Sequence, residues 1–185
     1  MKHLALSTAI LALLAAPVAA DEVTDTLNSA LKAYEDGDTQ YALEELEYAK
    51  QLMLEMKTDA LNQFLPPAPE GWTREVNNEM RAALGMMGGG VGAEANYRSG
   101  TGEKFKITIM ADNPMVGAMA GVIGSAGAIG AKIRRVGRQK FMDQKGQLSS
   151  LVDNRILVQA SGADIELMIP VLETIDYRKL GRFGQ

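Results

Sequence analysis

Polar and apolar residues alternate from Lys104 to Ile109 in Lys104-Phe105-Lys106-Ile107-Thr108-Ile109-Met110, and the rest of the chain can be placed around this stretch. Every second residue is a large apolar one, which is the period of a β-strand with one buried and one solvated face. The preceding Gly100-Thr101-Gly102 is a hairpin-turn signal, so residues 93–99 are predicted to pair with residues 103–111. One-sided alternation is typical of an antiparallel sheet that is covered on one side.

Residues further along the chain complete the same sheet. Residues 132–142, 147–152 and 155–160 are three more predicted strands, separated by the turns Asp143-Gln144-Lys145-Gly146 and Asp153-Asn154. Apolar residues at helical spacing follow in residues 165–175, and residues 115–131 form the other predicted helix. Strands with helices on one face predict an α+β fold, an antiparallel sheet with two helices on one face in a two-layer sandwich. We assign residues 71–185 to this α+β domain.

Residues 21–64 have the pattern of a helical hairpin. Apolar residues recur at helical spacing on both sides of Asp36-Gly37-Asp38, where Gly37 supplies a left-handed residue and Thr39 is expected to cap the second helix. The proline-rich residues 65–70 then stop the helix and are predicted to form a stiff, extended hinge. The apolar positions are Leu27, Ala30, Leu31 and Tyr34 in the first helix, and Ala42, Leu43, Leu46, Ala49, Met53 and Met56 in the second.

The first 20 residues have the three parts of a secretory signal peptide. A short basic start precedes the apolar residues 4–16, and small residues end at Ala19-Ala20. The apolar core is shorter than the about 20 residues of a membrane-spanning helix, which disfavours the alternative of an N-terminal anchor. We therefore expect cleavage before Asp21, location in the periplasm or outside the cell, and no integral membrane segment in the processed chain.

The processed chain would contain neither histidine nor cysteine, because the only histidine is His3 and the chain has no cysteine. This composition excludes Ser-His-Asp and Cys-His nucleophiles, disulfides, the usual structural zinc sites and histidine-ligated haem. Carboxylate or lysine chemistry stays open. We expect a protein that is not an enzyme, with no catalytic residue, no cofactor and no metal ligand of these usual kinds.

Charge is unevenly distributed along the chain. Residues 21–80 contain 14 acidic and 4 basic residues, whereas residues 81–185 contain 9 acidic and 14 basic ones. The two halves either neutralise each other or prepare a surface for docking. The basic residues cluster at Lys132, Arg134, Arg135, Arg138 and Lys140, as a patch for an anionic lipid or polymer or as a solvated strand face. Aromatic residues are sparse there, which disfavours nucleic acid.

Two neighbouring features complete the candidate surfaces. Trp72 is the only tryptophan and is either a core anchor or a ligand-stacking platform. The polar residues 74–84 that follow it are expected to form a helix or an irregular crossing. Residues 115–131 carry no charge, and we expect a helix whose glycines approach the sheet closely, with Gly121 or Gly124 facing it; insertion into a membrane is the alternative.

The hairpin resembles one tetratricopeptide repeat at Tyr34, Gly37-Asp38, Ala42 and Ala49, over about one 34-residue unit. The early Trp and Leu-Gly positions of that repeat are not met, and a plain helical hairpin is the alternative. The order of elements over about Gly71 to Leu180 is loosely similar to the PsbP-like shape and to small periplasmic α+β modules of bacterial envelope proteins. This resemblance rests on Gly71-Trp72-Thr73 and on the strand pair that ends at Gly162. No functional residue comes with either resemblance.

Two classes of function are compatible with these features. The first is a non-enzymatic envelope accessory protein that binds a protein partner through the hairpin or a sheet edge. The second is a periplasmic module that binds a small ligand or lipid through the basic strand and the uncharged helix. A variant of the second would hold a cuprous ion on the thioethers of Met86, Met87, Met115 and Met119.

Overall fold

The computed structural model describes residues 18–80, 84, 89–126 and 130–185, and for residues 18–21 the backbone alone. The chain forms two compact units that divide after Leu52. The proline-rich residues 65–70 lie inside the second unit, and their role as a hinge stays a prediction. The predicted signal peptide falls almost entirely outside the described residues, since the first described residue is Val18.

The N-terminal part is the predicted helical hairpin. Helix α1 spans Val18–Glu35 and helix α2 spans Thr39–Asn62. Gly37 adopts the left-handed conformation with φ 83°, as expected for the turn. The prediction that Thr39 caps α2 is wrong. The cap is Asp38, whose side chain accepts the hydrogen bond from the backbone N–H of Tyr41 at 3.1 Å.

Seven strands form one antiparallel sheet in the order β1-β2-β3-β7-β6-β5-β4. Their bounds are β1 Trp72–Asn77, β2 Val91–Ser99, β3 Lys104–Ala111, β4 Lys132–Val136, β5 Gln139–Gln144, β6 Gln147–Val152 and β7 Ile156–Ser161. Among the described residues, the helices that accompany the sheet include α3 Pro114–Gly124, α4 Ile165–Glu173 and α5 Tyr177–Gly181. The α+β class is confirmed, and so is the β2–β3 hairpin.

Strand β1 replaces the helix or irregular crossing expected for residues 74–84 only as far as Asn77, since Glu79, Met80 and Leu84 are helical. Residues 72–77 pair with β2 from Trp72 opposite Ser99 to Asn77 opposite Glu94. Alternation is weak here because β1 is an edge strand, where Thr73, Arg74 and Glu75 are all exposed. Polar side chains on an edge prevent pairing with another chain.

The main core lies on the face of the sheet that carries Ile107, Ile109 and Val158. Helices α4 and α5 cover this face with Leu172 and Leu180. We call it the core face. The proline segment is fixed beside it, because the Tyr97 hydroxyl donates to the Pro66 carbonyl at 2.7 Å. Burial raises the pKa of Tyr97 to about 12, against a smaller opposing effect of Arg74.

Helix α3 lies on the opposite face, which we call the outer face. Met110 and Leu157 point there, since neighbours of core-face residues alternate to the other side, and both pack with Val116 of α3. The two-layer arrangement predicts the helices on one face of the sheet. Instead, α3 lies on the outer face, whereas α4 and α5 lie on the core face. The alternation along β3 does not reveal that the outer face is covered as well, because Thr108 on that face is polar although it is buried.

The predicted close approach of α3 glycines to the sheet is wrong. A Cβ atom added to Gly117, Gly121 or Gly124 would meet no atom within 4 Å. Asn113 caps the helix by accepting from the backbone N–H of Met115 at 2.8 Å, with Pro114 in the first turn. The glycines instead leave α3 with a smooth, uncharged outer surface.

Candidate functional site

Small side chains form the interior of the helical hairpin. On α1 these are Thr26, Ala30 and Ala33, and on α2 they are Ala42 and Ala49. The hydroxyl of Tyr48 links the helices by donating to the Glu22 carboxylate at 2.8 Å. The hairpin therefore closes on alanines, and its leucines are not needed for closure.

The larger apolar side chains of the hairpin are left in solvent. Tyr34 is 67% exposed, Leu31 is 56% exposed and Leu43 is 57% exposed. Leu27 and Leu46 are exposed as well, and so are Met53 and Met56 further along α2. Single exposed leucines are ordinary on protein surfaces, but a contiguous group marks an interaction site.

Helix geometry places five of these side chains on one side of the hairpin. Successive helical residues turn by about 100°, so Leu27, Leu31 and Tyr34 lie about 100° from the buried line through Ala30. Leu43 and Leu46 are rotated in the same sense from the buried line of α2. Because the two helices run antiparallel, equal senses of rotation bring both sets to the same side. We call Leu27, Leu31, Tyr34, Leu43 and Leu46 the apolar face of the hairpin.

The surroundings of the apolar face are acidic. Residues 21–52 contain nine acidic and two basic residues, which gives a net charge of −7. Among these, Glu35, Asp36 and Asp38 are exposed at the turn, beside Tyr34. An apolar surface with an acidic rim favours a partner that is apolar at its centre and basic at its edge.

The basic residues predicted from the sequence are divided between the two faces of the sheet. Arg135 pairs with Lys140 across β4 and β5, and both point to the outer face. Lys132 and Arg134 point to the core face, where Arg134 Nε forms an ion pair with Asp143 Oδ2 at 3.2 Å. Arg138 lies in the β4–β5 turn with Gly137. The structure thus brings Arg135, Arg138 and Lys140 together and separates the other two.

Trp72 is not part of the basic cluster. It lies on β1, at the opposite edge of the sheet from β4, roughly 29 Å away at about 4.8 Å per strand. Its ring packs on Phe105 with centroids 5.1 Å apart, and Phe105 stacks on Tyr97 at 4.6 Å. Trp72 is therefore a half-buried member of the core cluster, as its core-anchor interpretation expects.

A groove of about 420 Å³ lies between α3 and the outer face near the basic cluster. Its apolar lining is Ala120, Ile123 and Leu151, and its rim carries Arg138 and Lys140. The side chain of Gln139 is already bonded to Ser150 Oγ at 2.8 Å and to the Leu151 carbonyl at 2.9 Å. The two cations form no ion pair or side-chain hydrogen bond with any described residue.

The buried carboxylates are occupied by structural contacts. Glu94 on the outer face accepts from Asn77 at 3.0 Å, Thr108 at 2.9 Å and Lys106 at 3.2 Å. Burial alone would raise the pKa of Glu94, but these donors together lower it below 4.5. A paired carboxylate with a lowered pKa is a poor general base at neutral pH.

Asp112 and Asp153 lie at strand ends and are the first candidates for the carboxylate chemistry that the composition leaves open. The carboxylate of Asp112, like that of Glu94, is held by structural contacts. It bonds Lys57 Nζ at 2.8 Å and Arg155 Nη1 at 2.9 Å, and Arg155 also reaches the Phe183 carbonyl. Burial would raise the pKa of Asp112, but the two cations lower it overall. Asp153, the second such carboxylate, lies in the β6–β7 turn with φ 50°.

The methionines proposed for copper are only partly described. Met86 and Met87 lie outside the described residues, while Met119 packs in the outer-face cluster and Met115 is exposed on α3. Within the described ranges, no group of three or more His, Cys, Asp or Glu side chains is placed to hold a metal ion. The same residues include no helix that is both long and apolar enough to cross a bilayer.

Comparison with known proteins adds no assignment. No family model, no curated protein and no solved structure matches the chain.

Sequence reasoning missed the apolar face and the groove. The spacing of Leu27, Ala30, Leu31 and Tyr34 predicts one apolar side of α1, but of these four side chains only Ala30 is buried in the hairpin. The available signal was the set of small residues at helical spacing, Ala30, Ala33, Ala42 and Ala49, which suffices for close helix contact. The groove residues Ile123 and Leu151 come from separate elements, so no local pattern joins them.

Proposed function

We propose that this chain is an exported, non-enzymatic accessory protein of the bacterial envelope that binds a protein partner through the apolar face of its helical hairpin. The observation that supports this proposal most strongly is the exposure of five large apolar side chains on one side of α1 and α2. Tyrosine and leucine side chains in such a group lose water when a partner covers them, which supplies binding free energy.

The partner that fits this face is a different protein with a basic rim. A two-fold dimer would place the same patch of each copy against the other. Residues 21–52 of each copy carry a net charge of −7, so that arrangement would bring like charges together around the interface. A partner with an apolar centre and surrounding Lys or Arg side chains avoids this repulsion and gains attraction.

Export is the part of the proposal that rests on the first 20 residues. Their basic start, apolar core and Ala19-Ala20 motivate a processed chain that begins at Asp21. The intact mass of the protein recovered from the cell envelope should correspond to residues 21–185. A mass that includes residues 1–20 would contradict cleavage while leaving the binding proposal open.

In-cell photo-crosslinking tests the binding proposal. A photoreactive phenylalanine analogue at Leu31 or Leu43 is expected to give a discrete covalent adduct with one other protein. The matched control is Asp25, which is exposed on α1 and lies roughly 120–180° around the helix from Leu27, Leu31 and Tyr34. Adducts from Asp25 that equal those from Leu31, or adducts only with a second copy of this chain, would overturn the proposal.

A further inference from the structure

Unpaired cations and exposed apolar side chains share the outer face of the sheet at the β4 edge. Arg135, Arg138 and Lys140 make no ion pair with any described residue. Ile133 lies on the same face as Arg135, two residues before it, and is 52% exposed. This combination is separate from the hairpin and has no role in the function proposed above.

Helix α3 extends this surface without adding charge. Residues 114–124 contain no charged side chain, and Met115 and Val122 are exposed on it. A helix of 11 residues is about 16 Å long, which is too short to cross a bilayer of about 30 Å. The helix can therefore lie on an apolar surface but cannot span it.

Acidic side chains are scarce on this surface. Asp143 points to the core face, where it is paired with Arg134. Glu173 approaches the β4–β5 turn from α4 and accepts from the Gly137 N–H at 3.2 Å. Among the described residues of α3, β4 and β5, the outer face thus presents cations and apolar groups together.

We propose that the surface formed by α3 and the β4–β5 hairpin docks on an anionic phospholipid bilayer, with a lipid phosphate at the groove rimmed by Arg138 and Lys140. A bilayer interface satisfies both kinds of group at once, because apolar side chains enter the acyl boundary while Arg and Lys stay at the phosphates. The groove of about 420 Å³ is lined both by apolar side chains and by its two cations, which is the chemistry that suits one anionic amphiphile. An acidic protein would use the cations but would leave the apolar groups without an equivalent partner.

Because the chain is acidic overall, its binding to an anionic membrane depends on where its cations lie. The chain has a net charge of −4, so its overall field opposes approach to an anionic surface. Binding to anionic vesicles therefore requires a local basic surface. Each Lys or Arg near such a membrane contributes about a fivefold gain in partitioning, and the gain falls with salt.

Vesicle co-sedimentation of the processed full chain tests the proposal. Binding is expected to vesicles of phosphatidylcholine with phosphatidylglycerol and not to phosphatidylcholine alone, and raising the salt is expected to weaken it. Arg138→Gln with Lys140→Gln should reduce partitioning roughly 30-fold. The control is Lys132→Gln with Arg178→Gln, which removes the same charge from exposed side chains of β4 and α5 that are not on the outer face. This control should change partitioning far less.

Three results would overturn the proposal. These are no binding to anionic vesicles, equal loss of binding in the test and control variants, and binding of glycerol phosphate or polyglutamate as strong as that of the vesicles. Melting temperatures of both double variants check that the fold is intact, and Ile133→Ser supplies a test that keeps the charge. A weaker association of Ile133→Ser with vesicles supports contact of the apolar groups with the bilayer.

Discussion

Replacing two leucines of the apolar face by glutamine is expected to lower the free energy of unfolding less than one such replacement in the hairpin interior. A fully buried leucine side chain contributes about 1.5–3 kcal/mol. Leu31 and Leu43 are 56% and 57% exposed, so each contributes less than half of that amount. Glutamine keeps a high helix propensity and part of the methylene contact. Leu31→Gln with Leu43→Gln should therefore lower the free energy of unfolding by no more than about 1–2 kcal/mol.

The matched comparison is Ala49→Gln, which introduces the same side chain on the same hairpin at a residue with 0% exposure. Here glutamine must both overpack the interior and bury an amide, so a loss of at least about 2 kcal/mol is expected. Urea unfolding followed by circular dichroism measures all three proteins. If the double leucine variant lost as much stability as Ala49→Gln, the leucines would be structural, and the reasoning about the apolar face would be refuted.

Three further changes test the sheet and its helices. Gly121→Ala should raise the free energy of unfolding by about 0.5–1 kcal/mol, because it removes helix-disfavouring flexibility where a Cβ meets open space; a loss of stability in urea would show hidden contacts. Gly162→Ala should cost at least about 2 kcal/mol, since φ is 113° and its Cβ would lie 3.0 Å from the Lys104 carbonyl oxygen; a neutral result in thermal unfolding would contradict this backbone. Glu94 has a folded-state pKa below its unfolded value of about 4.5, so its stabilisation is present above that pH and is lost as the pH falls through the folded pKa. Glu94→Gln should therefore flatten the decline of stability in this acidic range, and an unchanged pH profile would count against the network.

The sheet could be predicted from sequence where alternation is strong. Residues 104–109 alternate because their core face contacts α4 and α5, and the turn at Gly100-Thr101-Gly102 then determines the β2–β3 pairing. Strand β1 could not be predicted in this way, since Arg74 and Glu75 both lie in solvent on an edge strand. The burial of the outer face by other elements could not be predicted either, because Thr108 is polar although it is buried there.

The candidate surfaces were less predictable than the sheet. Helical spacing identifies which side chains share a side, but not which side packs, so the leucines of the hairpin and the glycines of α3 were both assigned to interiors. The basic cluster was visible in the sequence, whereas its division depends on strand register. Register places Arg135 and Lys140 on one face and Lys132 and Arg134 on the other.

Cysteine protection in the cell tests the central proposal most directly, because the chain has no cysteine and any single introduced thiol reports alone. Leu43→Cys and the control Asp25→Cys would be labelled with a membrane-impermeant maleimide, in intact envelopes and as purified protein. If a partner covers the apolar face, Leu43→Cys should react quickly when purified and much more slowly in the envelope, while Asp25→Cys should react equally in both. Equal labelling of Leu43→Cys in the two settings would show an uncovered face and would contradict the proposed function.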